Sequence, residues 1–562
     1  MDKRWLVSRT NQEFLEYLSG KTSISMAFAQ VLVNRGYKDA DSIRDFLSPS
    51  LKNLHDPFLM PDMAKAVERI KAASVKGETV LVYGDYDADG ITSTALMVSA
   101  LRTLGLKTLY YIPNRLTEGY GLNKNGIQQA DSSGASLIIT VDCGITSVEE
   151  ISLAASLGMD TIVTDHHEPP QKLPDALAII NPKRQGSEYP FRHLAGVGVA
   201  YKLAEALLER TGAEGLLALV AVGTVADSVD LTGENRVLVS HGLKALNRTE
   251  KDSPVRPWIG SLKETTSMEG KDLLSGVLSY TIIPRINAAG RLGEAREVVE
   301  LFLTQDTARA KGIAALLEDQ NRKRQQIEGD VYRSALDMID ADDPGSVIVL
   351  SSPDWHPGVI GIVASRLVDM FYRPTFLFSV KDGIAKGSAR SIPPFHLYKG
   401  ISDCADLFLA YGGHSQAAGI KLNADKLPAF RERISSLVEK VLDKDEMIPT
   451  IEIDAGIDLF EVNFNLIKEL ALMEPFGKAN QKPVFGAKDI NVTDYRIVGK
   501  NHLKMKLKQK SVSIDSIGFS MGSLLEKVEN SYAIDVAFVP SINEWNGNKH
   551  IQLNLKALRP SV

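Results

Sequence analysis

Three carboxylates alternate with other side chains in the segment Asp85-Tyr86-Asp87-Ala88-Asp89, and an apolar run at residues 80–83 comes just before it. Unpaired carboxylates this close together repel one another, so their pKa values rise unless a divalent metal or a basic group neutralises them. The segment therefore predicts a cation site at the end of a buried strand.

Further candidate ligands follow three more apolar runs. Asp142 ends the second run, His166 and His167 end the third, and Asp227 follows the fourth. Aspartate and histidine bind Mn²⁺ and Mg²⁺, with carboxylates dominating the ligand set and a neutral imidazole favouring Mn²⁺. The predicted metal ligands are Asp87, Asp89, Asp142, His166 and Asp227, with Asp85 as a sixth.

This ligand set suits the hydrolysis of a phosphodiester. The reaction needs a strong nucleophile at neutral pH and compensation of charge on the leaving oxygen, and two metals about 3.5 to 4 Å apart supply both. Asp142 is expected to bridge the metals, and His167 is free to contact the scissile phosphate or assist the leaving group. A need for turn formers explains any one motif, but not three spaced carboxylates together with paired histidines.

Short strands alternate with helical patterns between residues 79 and 182. The predicted strands are residues 80–83, 109–112, 137–141 and 161–164, and the predicted helices are residues 93–104 and 147–157. This alternation predicts a parallel α/β sheet. Ligands of such sheets bind beyond the carboxyl ends of the strands, which is where the candidate metal ligands fall.

The rest of the chain divides into further units. A helical region from residue 196 to about 247 is followed by a long polar helix at residues 306–339, which we interpret as an interdomain connector. A second α/β unit begins near residue 346, and short strands with turn signals after residue 449 predict a small β-barrel. The predicted divisions are an N-terminal segment 1–70, a catalytic domain 71–305, a connector helix 306–344, a second α/β domain 345–445 and a barrel 446–562.

The length, net charge and cysteine content of the chain exclude several classes of protein. A chain of 562 residues is too long for one core, and its net charge of −6 argues against coating nucleic acid through bulk charge. The two cysteines, Cys143 and Cys404, are too few for a disulfide framework, so a reducing compartment fits best. No apolar run is long enough to span a bilayer. We therefore expect a cytoplasmic protein without a membrane partner.

A basic stripe lies in the predicted barrel. His502, Lys504, Lys506, Lys508 and Lys510 alternate with apolar residues. On a strand this alternation places the basic groups on one face, which suits a phosphate backbone. Lys504, Lys506 and Lys508 are the predicted nucleic-acid contacts, and Trp545 is available for base stacking. A solvated edge strand guarded by lysines would have the same pattern.

Several motifs together resemble a known family. Gly84-Asp85-Tyr86-Asp87-Ala88-Asp89-Gly90, Val141-Asp142-Cys143-Gly144 and Asp165-His166-His167 resemble the DHH phosphoesterases. Nearly the whole chain resembles the RecJ family of single-strand-specific exonucleases within them. The further motifs that carry this likeness are Arg285-Ile286-Asn287-Ala288-Ala289-Gly290-Arg291-Leu292, Gly387-Ser388-Ala389-Arg390, Gly412-Gly413-His414-Ser415-Gln416-Ala417-Ala418-Gly419 and Glu474-Pro475-Phe476-Gly477.

The resemblance implies a DHH domain, a DHH-associated domain across a cleft, and an oligonucleotide-binding (OB) barrel. It implies 5′ to 3′ degradation of single-stranded DNA to mononucleotides in recombination and repair. A helicase and a single-strand-binding protein are candidate further partners, although the sequence does not determine them. Ser388 and Arg390, with Arg115 and Arg366, would hold the 5′ phosphate through charge-assisted hydrogen bonds. Taken alone, Arg390 could simply pair with a surface acid.

Other residues of these motifs are expected to contact phosphates. Arg285, Asn287 and Arg291 are expected near the metals, with Arg285 in the catalytic group, although a polar interdomain hinge would look similar. The glycines beside His414 would let the backbone approach the substrate, and His414 itself could contact a phosphate.

Two alternatives remain open at this point. One is a DHH phosphodiesterase for short oligonucleotides or cyclic dinucleotides, although such a substrate needs neither a long connector nor a basic barrel. The other is a non-catalytic single-strand-binding protein, which would be expected to have lost metal carboxylates that this chain keeps. The residues alone leave open the native metal, strand polarity, the choice between DNA and RNA, the oligomeric state, and whether the chain is a shortened form.

Overall fold

The computed structural model describes residues 3–115, 117–248, 255–292, 295–545 and 547–561, without the side chains of Leu292 and Trp545. The stacking predicted for Trp545 therefore lies outside the described residues. The strands are β1 (Arg4–Val7), β2 (Thr79–Gly84), β3 (Lys107–Tyr111), β4 (Ala135–Val141), β5 (Asp160–Thr164), β6 (Ala178–Ile180), β7 (Ile348–Ser352), β8 (Thr375–Lys381), β9 (Ile384–Arg390), β10 (Phe408–Gly413), β11 (Ala417–Asn423), β12 (Thr450–Ile453), β13 (Ala455–Gly456), β14 (Phe485–Val498), β15 (His502–Gln509), β16 (Val512–Gly518), β17 (Ile534–Trp545) and β18 (Asn548–Pro560).

The α-helices lie between and around these strands. They are α1 (Gln12–Thr22), α2 (Met26–Asn34), α3 (Ala40–Leu47), α4 (Met63–Lys76), α5 (Ala88–Thr103), α6 (Lys124–Ser132), α7 (Val148–Ser156), α8 (Gly196–Ala213), α9 (Leu217–Ala226), α10 (Gly233–Asn247), α11 (Arg256–Thr265), α12 (Ser275–Val277), α13 (Ile283–Leu292), α14 (Ala295–Leu303), α15 (Thr307–Leu336), α16 (Ile360–Phe371), α17 (Leu397–Ser402), α18 (Leu427–Val441), α19 (Phe464–Ala471) and α20 (Leu525–Glu529). A π-helical turn, Leu278–Ile282, joins α12 to α13.

The first α/β domain is built on a parallel sheet, as predicted. Its order is β3-β2-β4-β5-β6, and every neighbouring pair is parallel. Apolar clusters cover both faces, which matches the near-continuous burial of β2 and β4. The carboxyl ends of β2, β4 and β5 lie side by side and point their following loops to one edge of the sheet.

Helix α5 begins five residues earlier than the prediction of residues 93–104. Asp87 caps it, because its side chain accepts hydrogen bonds from the backbone N–H groups of Asp89 at 2.9 Å and Gly90 at 3.1 Å. A capping carboxylate satisfies N–H groups that have no partner inside the helix. The carboxylate of Asp89 therefore stands on the first helical turn and not in a loop.

The connector helix α15 packs against both α/β domains. Ala310, Ile313 and Leu317 belong to the core of the first domain, whereas Val331 and Ala335 belong to a cluster with α16. One continuous helix thus links two hydrophobic cores, which fixes the two α/β domains about the cleft between them.

The second α/β domain has a mixed sheet of order β10-β11-β9-β8-β7. β7 and β8 are parallel, and the remaining pairs are antiparallel. Helix α16 packs against β7 and β8 on one face, and α18 packs on the other face with Phe376 and Phe378. This confirms a second α/β unit.

The C-terminal strands form a closed barrel in the order β14-β15-β16-β18-β17, with β17 pairing back to β14. This confirms the OB-type barrel. The N-terminal segment joins it, because β1 pairs in parallel with β12 and Phe28 and Leu32 share a core with barrel residues such as Phe485. No helix in the described ranges is long and apolar enough to cross a membrane.

Candidate active site

The predicted metal ligands meet at the carboxyl edge of the parallel sheet. Side-chain ligand atoms of Asp85, Asp87 and Asp142 lie within 4.8 Å of one another, and so do those of Asp89, His166 and Asp227. The two groups adjoin, because His166 Nε2 lies 3.2 Å from Asp142 Oδ1 and 3.7 Å from Asp227 Oδ2. Residues far apart in sequence therefore form one continuous cluster.

Backbone geometry positions two of these carboxylates. Asp89 accepts hydrogen bonds from the N–H groups of Gly196 at 2.7 Å and Val197 at 2.9 Å, at the start of α8. Asp142 has a φ of 61°, a left-handed conformation that few residues other than glycine adopt. A Cβ at Gly196 would lie 2.3 Å from Asp142 Oδ1, so glycine is required where α8 approaches the cluster. Such strain is common at functional sites.

The carboxylates hold protons tightly when no cation is present. Burial, followed by repulsion from Asp227, raises the pKa of Asp89 to about 7. Burial and repulsion from Asp87 likewise raise the pKa of Asp227 to about 7, and that of Asp85 well above its ordinary value. The pKa of Asp142 is also raised, by burial and by its neighbours Asp89 and Asp87.

The cluster fits a divalent cation. Asp85 Oδ1, Asp142 Oδ1 and Asp227 Oδ2 are buried and accept no hydrogen bond within the described part of the chain. Burial lowers the pKa of His166, which favours the neutral imidazole that a metal requires. Buried oxygens without donors cost free energy unless a cation or water satisfies them. Mn²⁺ and Mg²⁺ both suit this set of carboxylate and imidazole donors.

His167 is held by a residue that the sequence did not assign to the site. Asp165 is fully buried, and its Oδ1 lies 2.7 Å from His167 Nδ1. Burial alone would lower the pKa of His167, but the hydrogen bond and charge of Asp165 outweigh it and raise the pKa to about 9. Tyr120 Oη lies 3.2 Å from the same nitrogen. In the sequence, the two adjacent histidines could have indicated Asp165 as a site residue, whereas no pattern indicated Tyr120.

Guanidinium groups line the cleft beside the carboxylates. A cavity of about 180 Å³ is bounded by Asp87, Asp89 and Asp227 together with Arg115 and Arg291. The Arg115 guanidinium lies 5.1 Å from the centre of the Tyr86 ring.

The pKa of Arg291 reflects how closely these cations lie to one another. Burial, followed by repulsion from Arg115, Arg324 and Arg390, lowers the pKa of Arg291 to about 10. Arg291 also donates to the carbonyl of Gly358 across the cleft at 2.8 Å. Four arginines that are distant in sequence thus converge next to the acidic cluster. Arg324 pairs with Glu328 at 2.5 Å, whereas the other three have no carboxylate partner in the described ranges and suit a bound anion. Arg324 lies on α15, where the abundance of charged residues hid it from sequence reasoning.

Ser388 and Arg390 lie together on β9, facing α16. Arg390 Nη1 is 3.3 Å from Ser388 Oγ, and a Cβ at Gly361 would lie 2.8 Å from Ser388 Oγ. Burial, followed by repulsion from Arg115, lowers the pKa of Arg390. The guanidinium donates to the carbonyl of Ala389 at 2.8 Å, and no acid pairs with it in the described ranges.

Three other residues that were predicted to contact phosphates form bonds within the protein. Asn287 lines the cavity and accepts a hydrogen bond from the Ala88 N–H at 3.1 Å. Arg285 pairs with Glu318 of the connector at 2.6 Å, and Arg366 pairs with Glu328 of the same helix at 3.1 Å. Arg285 and Arg366 therefore already have carboxylate partners, and their proposed roles stay predictions.

His414 and the three lysines do not line the cavity beside the carboxylates. His414 is exposed in the turn between β10 and β11. Lys504, Lys506 and Lys508 alternate along β15 with buried Leu503, Met505 and Leu507, as the pattern predicted. The cross-strand neighbours of Lys506 are both acids, Asp494 and Asp515, so this stripe is less basic than the sequence suggested.

The motif Glu474–Gly477 belongs to a docking loop, residues 474–480, that reaches the catalytic domain. The Leu231 N–H donates to the Lys478 carbonyl at 2.9 Å, and a Cβ at Gly477 would lie 2.6 Å from Leu231 Cδ1. Lys478 also pairs with Asp230 at 3.4 Å. These contacts come directly after the metal-ligand candidate Asp227, so the barrel braces the segment that carries this carboxylate.

Comparison with known families places the three domains. The model of the DHH family, N-terminal domain, matches residues 79–224. The DHHA1 domain matches residues 344–440, and the RecJ OB domain matches residues 453–557.

One relative covers almost the whole chain. The single-stranded-DNA-specific exonuclease RecJ of Bacillus subtilis (strain 168) is 40% identical over 561 residues, spanning 98% of this chain and 70% of the relative. The chain belongs to the RecJ family.

Solved RecJ structures share the architecture. RecJ from Thermus thermophilus in complex with Mn²⁺ superimposes with a TM-score of 0.86 and 30% identity, covering 100% of this chain and 80% of that one. Its complex with Mg²⁺ gives a TM-score of 0.80 with 29% identity, covering 100% and 79%. The RecJ fold therefore extends over all the domains of this chain.

Proposed function

We propose that this protein is a metal-dependent exonuclease specific for single-stranded DNA. The observation that carries the proposal is the buried cluster of Asp and His ligands, whose oxygens lack donors, beside four converging arginines. Membership of the RecJ family, whose relatives are named single-stranded-DNA-specific exonucleases, supports the substrate.

Two divalent cations, Mn²⁺ or Mg²⁺, would be held by Asp85, Asp87, Asp89, Asp142, His166 and Asp227. When bound, they supply a strong nucleophile from water at neutral pH and compensate charge on the leaving oxygen. Asp142 lies in contact with both groups of ligands, which suits a bridging role. The start of α8 holds Asp89 in place by two backbone N–H groups.

His167 lies beside the metal-ligand cluster and would contact the substrate. Asp165 orients its ring and favours the protonated form, so His167 can donate a hydrogen bond to the scissile phosphate or a proton to the leaving oxygen. Because Nδ1 is engaged by Asp165, the Nε2 atom is the one available to substrate.

Recognition of the 5′ end falls to the arginine cluster. Arg115, Arg390 and Ser388 offer a guanidinium pair and a hydroxyl without a carboxylate partner in the described ranges, and Arg291 adds a third guanidinium. These groups suit a terminal phosphate through charge-assisted hydrogen bonds. A phosphate fixed here, beside the metal ligands, would place the first phosphodiester for cleavage and give 5′ to 3′ polarity and mononucleotide products.

The biological setting is a further part of the proposal. We infer action in DNA recombination and repair in the cytoplasm, where the buried free thiols of Cys143 and Cys404 would stay reduced. A helicase and a single-strand-binding protein are the proposed partners, because an exonuclease of this kind needs single strands to be generated and kept open.

One digestion tests the activity and its direction. A 5′-phosphorylated single strand, labelled at that phosphate or at its 3′ end, is incubated with Mn²⁺ beside a dinucleotide. We expect immediate release of the 5′ label as mononucleotide while the 3′-labelled strand shortens progressively. Cleavage of the dinucleotide alone would instead indicate a small-substrate phosphodiesterase, and binding without cleavage a strand-binding scaffold.

A further inference from the structure

The sheet of the second α/β domain has one open face next to the proposed 5′-phosphate site. Residues 385, 387 and 389 of β9 point to the core, since Ala385 and Ala389 are buried there and a Cβ at Gly387 would meet the Phe378 ring at 2.4 Å. Side chains alternate along a strand, so Lys386 lies on the same face as Ser388 and Arg390.

Helix α16 covers this face over β7, β8 and the Ser388 end of β9. Beyond it, a Cβ at Gly412 or at Gly419 would have nothing within 4 Å. Register places Gly419 opposite both Ser388 and Gly412, so the face continues from β9 over β11 to β10 without an obstruction at those positions. We call this open face the ledge; it comprises Lys386, Lys421, Gly419, Gly412 and Ala410, and it borders Ser388 and Arg390, which lie beneath α16.

Two lysines face each other on the ledge. Lys386 of β9 and Lys421 of β11 are direct cross-strand partners, and both are exposed. Like charges directly opposite each other destabilise a sheet. Within the described ranges, no carboxylate pairs with either amine. Lysines often guard sheet edges against aggregation, but β9 and β11 are internal strands of this sheet, so that explanation does not apply.

Of the three polar residues along this face of β9, Arg390 lies nearest the cleft and Lys386 lies farthest from it. Arg390 lies within electrostatic reach of Arg115 and Arg291, which line the cavity beside the carboxylates. Ser388 comes next, and Lys386 lies two residues further from the cleft. With the scissile bond at the metals and the terminal phosphate at Arg390 and Ser388, groups attached to that phosphate would extend towards the lysines.

We propose that Lys386 and Lys421 form an anion subsite for the β- and γ-phosphates of a strand that begins with a 5′ triphosphate. The inference rests on the proposed function and extends it to 5′-polyphosphorylated single strands. Hydrolysis would be unchanged in its chemistry: water adds to the first phosphodiester, the 3′ oxygen of the first nucleotide leaves with a proton, and the next nucleotide keeps the 5′ phosphate. The first product is then a nucleoside triphosphate, followed by monophosphates.

The test compares three forms of one single-stranded DNA, bearing a 5′ hydroxyl, a 5′ phosphate or a 5′ triphosphate, with Mn²⁺. We expect the native protein to degrade the triphosphorylated strand with a kcat/KM within about threefold of the phosphorylated one and to release a nucleoside triphosphate first. In the double variant Lys386→Gln/Lys421→Gln, the ratio of these two kcat/KM values should fall by about tenfold or more.

The matched control is Lys440→Gln/Lys444→Gln, two exposed lysines of the same domain away from the ledge, with the same change of charge. Its ratio should equal that of the native protein. Exclusion of the triphosphorylated strand by the native protein would overturn the proposal. So would an equal loss on both substrates in the ledge variant, measured on a variant whose melting temperature is native. Failure to cut even the 5′-phosphorylated strand would instead contradict the proposed function itself.

Discussion

At the residue scale, Asp142 is the central residue of the site. Its carboxylate touches both groups of candidate ligands and is held in a left-handed backbone conformation. Asp142→Ala should reduce cleavage by at least about 1000-fold while leaving single-strand binding within about twofold. The exposed Asp425 supplies the control variant, Asp425→Ala, which should cleave normally. Comparable turnover in the Asp142 variant would refute the site.

The role of Asp165 can be separated from that of the ligands by pH. Asp165 raises the pKa of His167, so Asp165→Asn should lower it and shift the alkaline limb of the kcat/KM profile to lower pH. The direction follows because loss of the negative charge makes the imidazolium easier to deprotonate. In His167→Ala this limb should vanish. A limb at the same pH in Asp165→Asn would contradict the assignment of His167 as the titrating group.

The crowded carboxylates also make a prediction about stability. Because the pKa values of Asp89 and Asp227 are about 7 in the folded protein, the folded state binds protons more tightly than the unfolded chain between about pH 4 and pH 7. The free energy of unfolding should therefore fall as pH rises through this window when a chelator is present. Melting temperatures from pH 5 to 8 should show a smaller fall in Asp227→Asn, and Mn²⁺ should restore stability at pH 8. An identical pH slope in the two proteins would contradict the interpretation.

At the scale of elements, the sequence predicted the positions of strands more accurately than the start of a helix or the cross-strand neighbours of a residue. The four predicted strands of the parallel sheet are present, because buried β-rich runs between glycine stops have few other folds available. The start of α5 was missed, since a capping carboxylate looks the same as a loop aspartate in sequence. The acidic neighbours of Lys506 were equally invisible, because cross-strand register depends on bulges and turns.

The docking loop gives an element-scale prediction. Gly477→Ala should push against buried Leu231 and displace the segment that carries Asp227, so Mn²⁺ affinity should fall by about tenfold or more, as for other groups that position ligands. Mn²⁺ binding can be followed by the rise in melting temperature, without any substrate. Gly456→Ala in the same barrel has room for its Cβ, 4.0 Å from the nearest atom, and should behave as native. Native Mn²⁺ affinity in Gly477→Ala would show that the loop does not position Asp227.

At the scale of the whole molecule, one buried arginine joins three parts of the chain. Arg236 of the catalytic domain is 2% exposed and donates to the carbonyls of Met473 at 2.6 Å and Phe46 at 3.0 Å, so it ties together the barrel, the N-terminal segment and the DHH domain. No sequence pattern predicted this, because the bonds go to backbone atoms of residues that carry no polar signal. The predicted domain boundaries stay predictions, although the N-terminal segment shares its core with the barrel.

The barrel makes the remaining whole-molecule prediction. Replacing Lys504, Lys506 and Lys508 by glutamine should weaken binding to long strands and flatten its salt dependence by about 0.7 for each phosphate that is no longer neutralised. The contribution of Lys506 should be the smallest, because Asp494 and Asp515 flank it. An unchanged slope of log K against log salt would remove this face of the barrel from the path of the strand.

The central claim is that one cluster holds two divalent ions and cleaves single-stranded DNA with them. The most direct test is to count the Mn²⁺ ions bound per chain at saturation while measuring cleavage of a 5′-phosphorylated single strand at each occupancy. We expect two ions in the native protein, cleavage that requires both, and the loss of at least one ion in Asp142→Ala. Full cleavage in a chelator, or two ions bound without any cleavage, would contradict the claim.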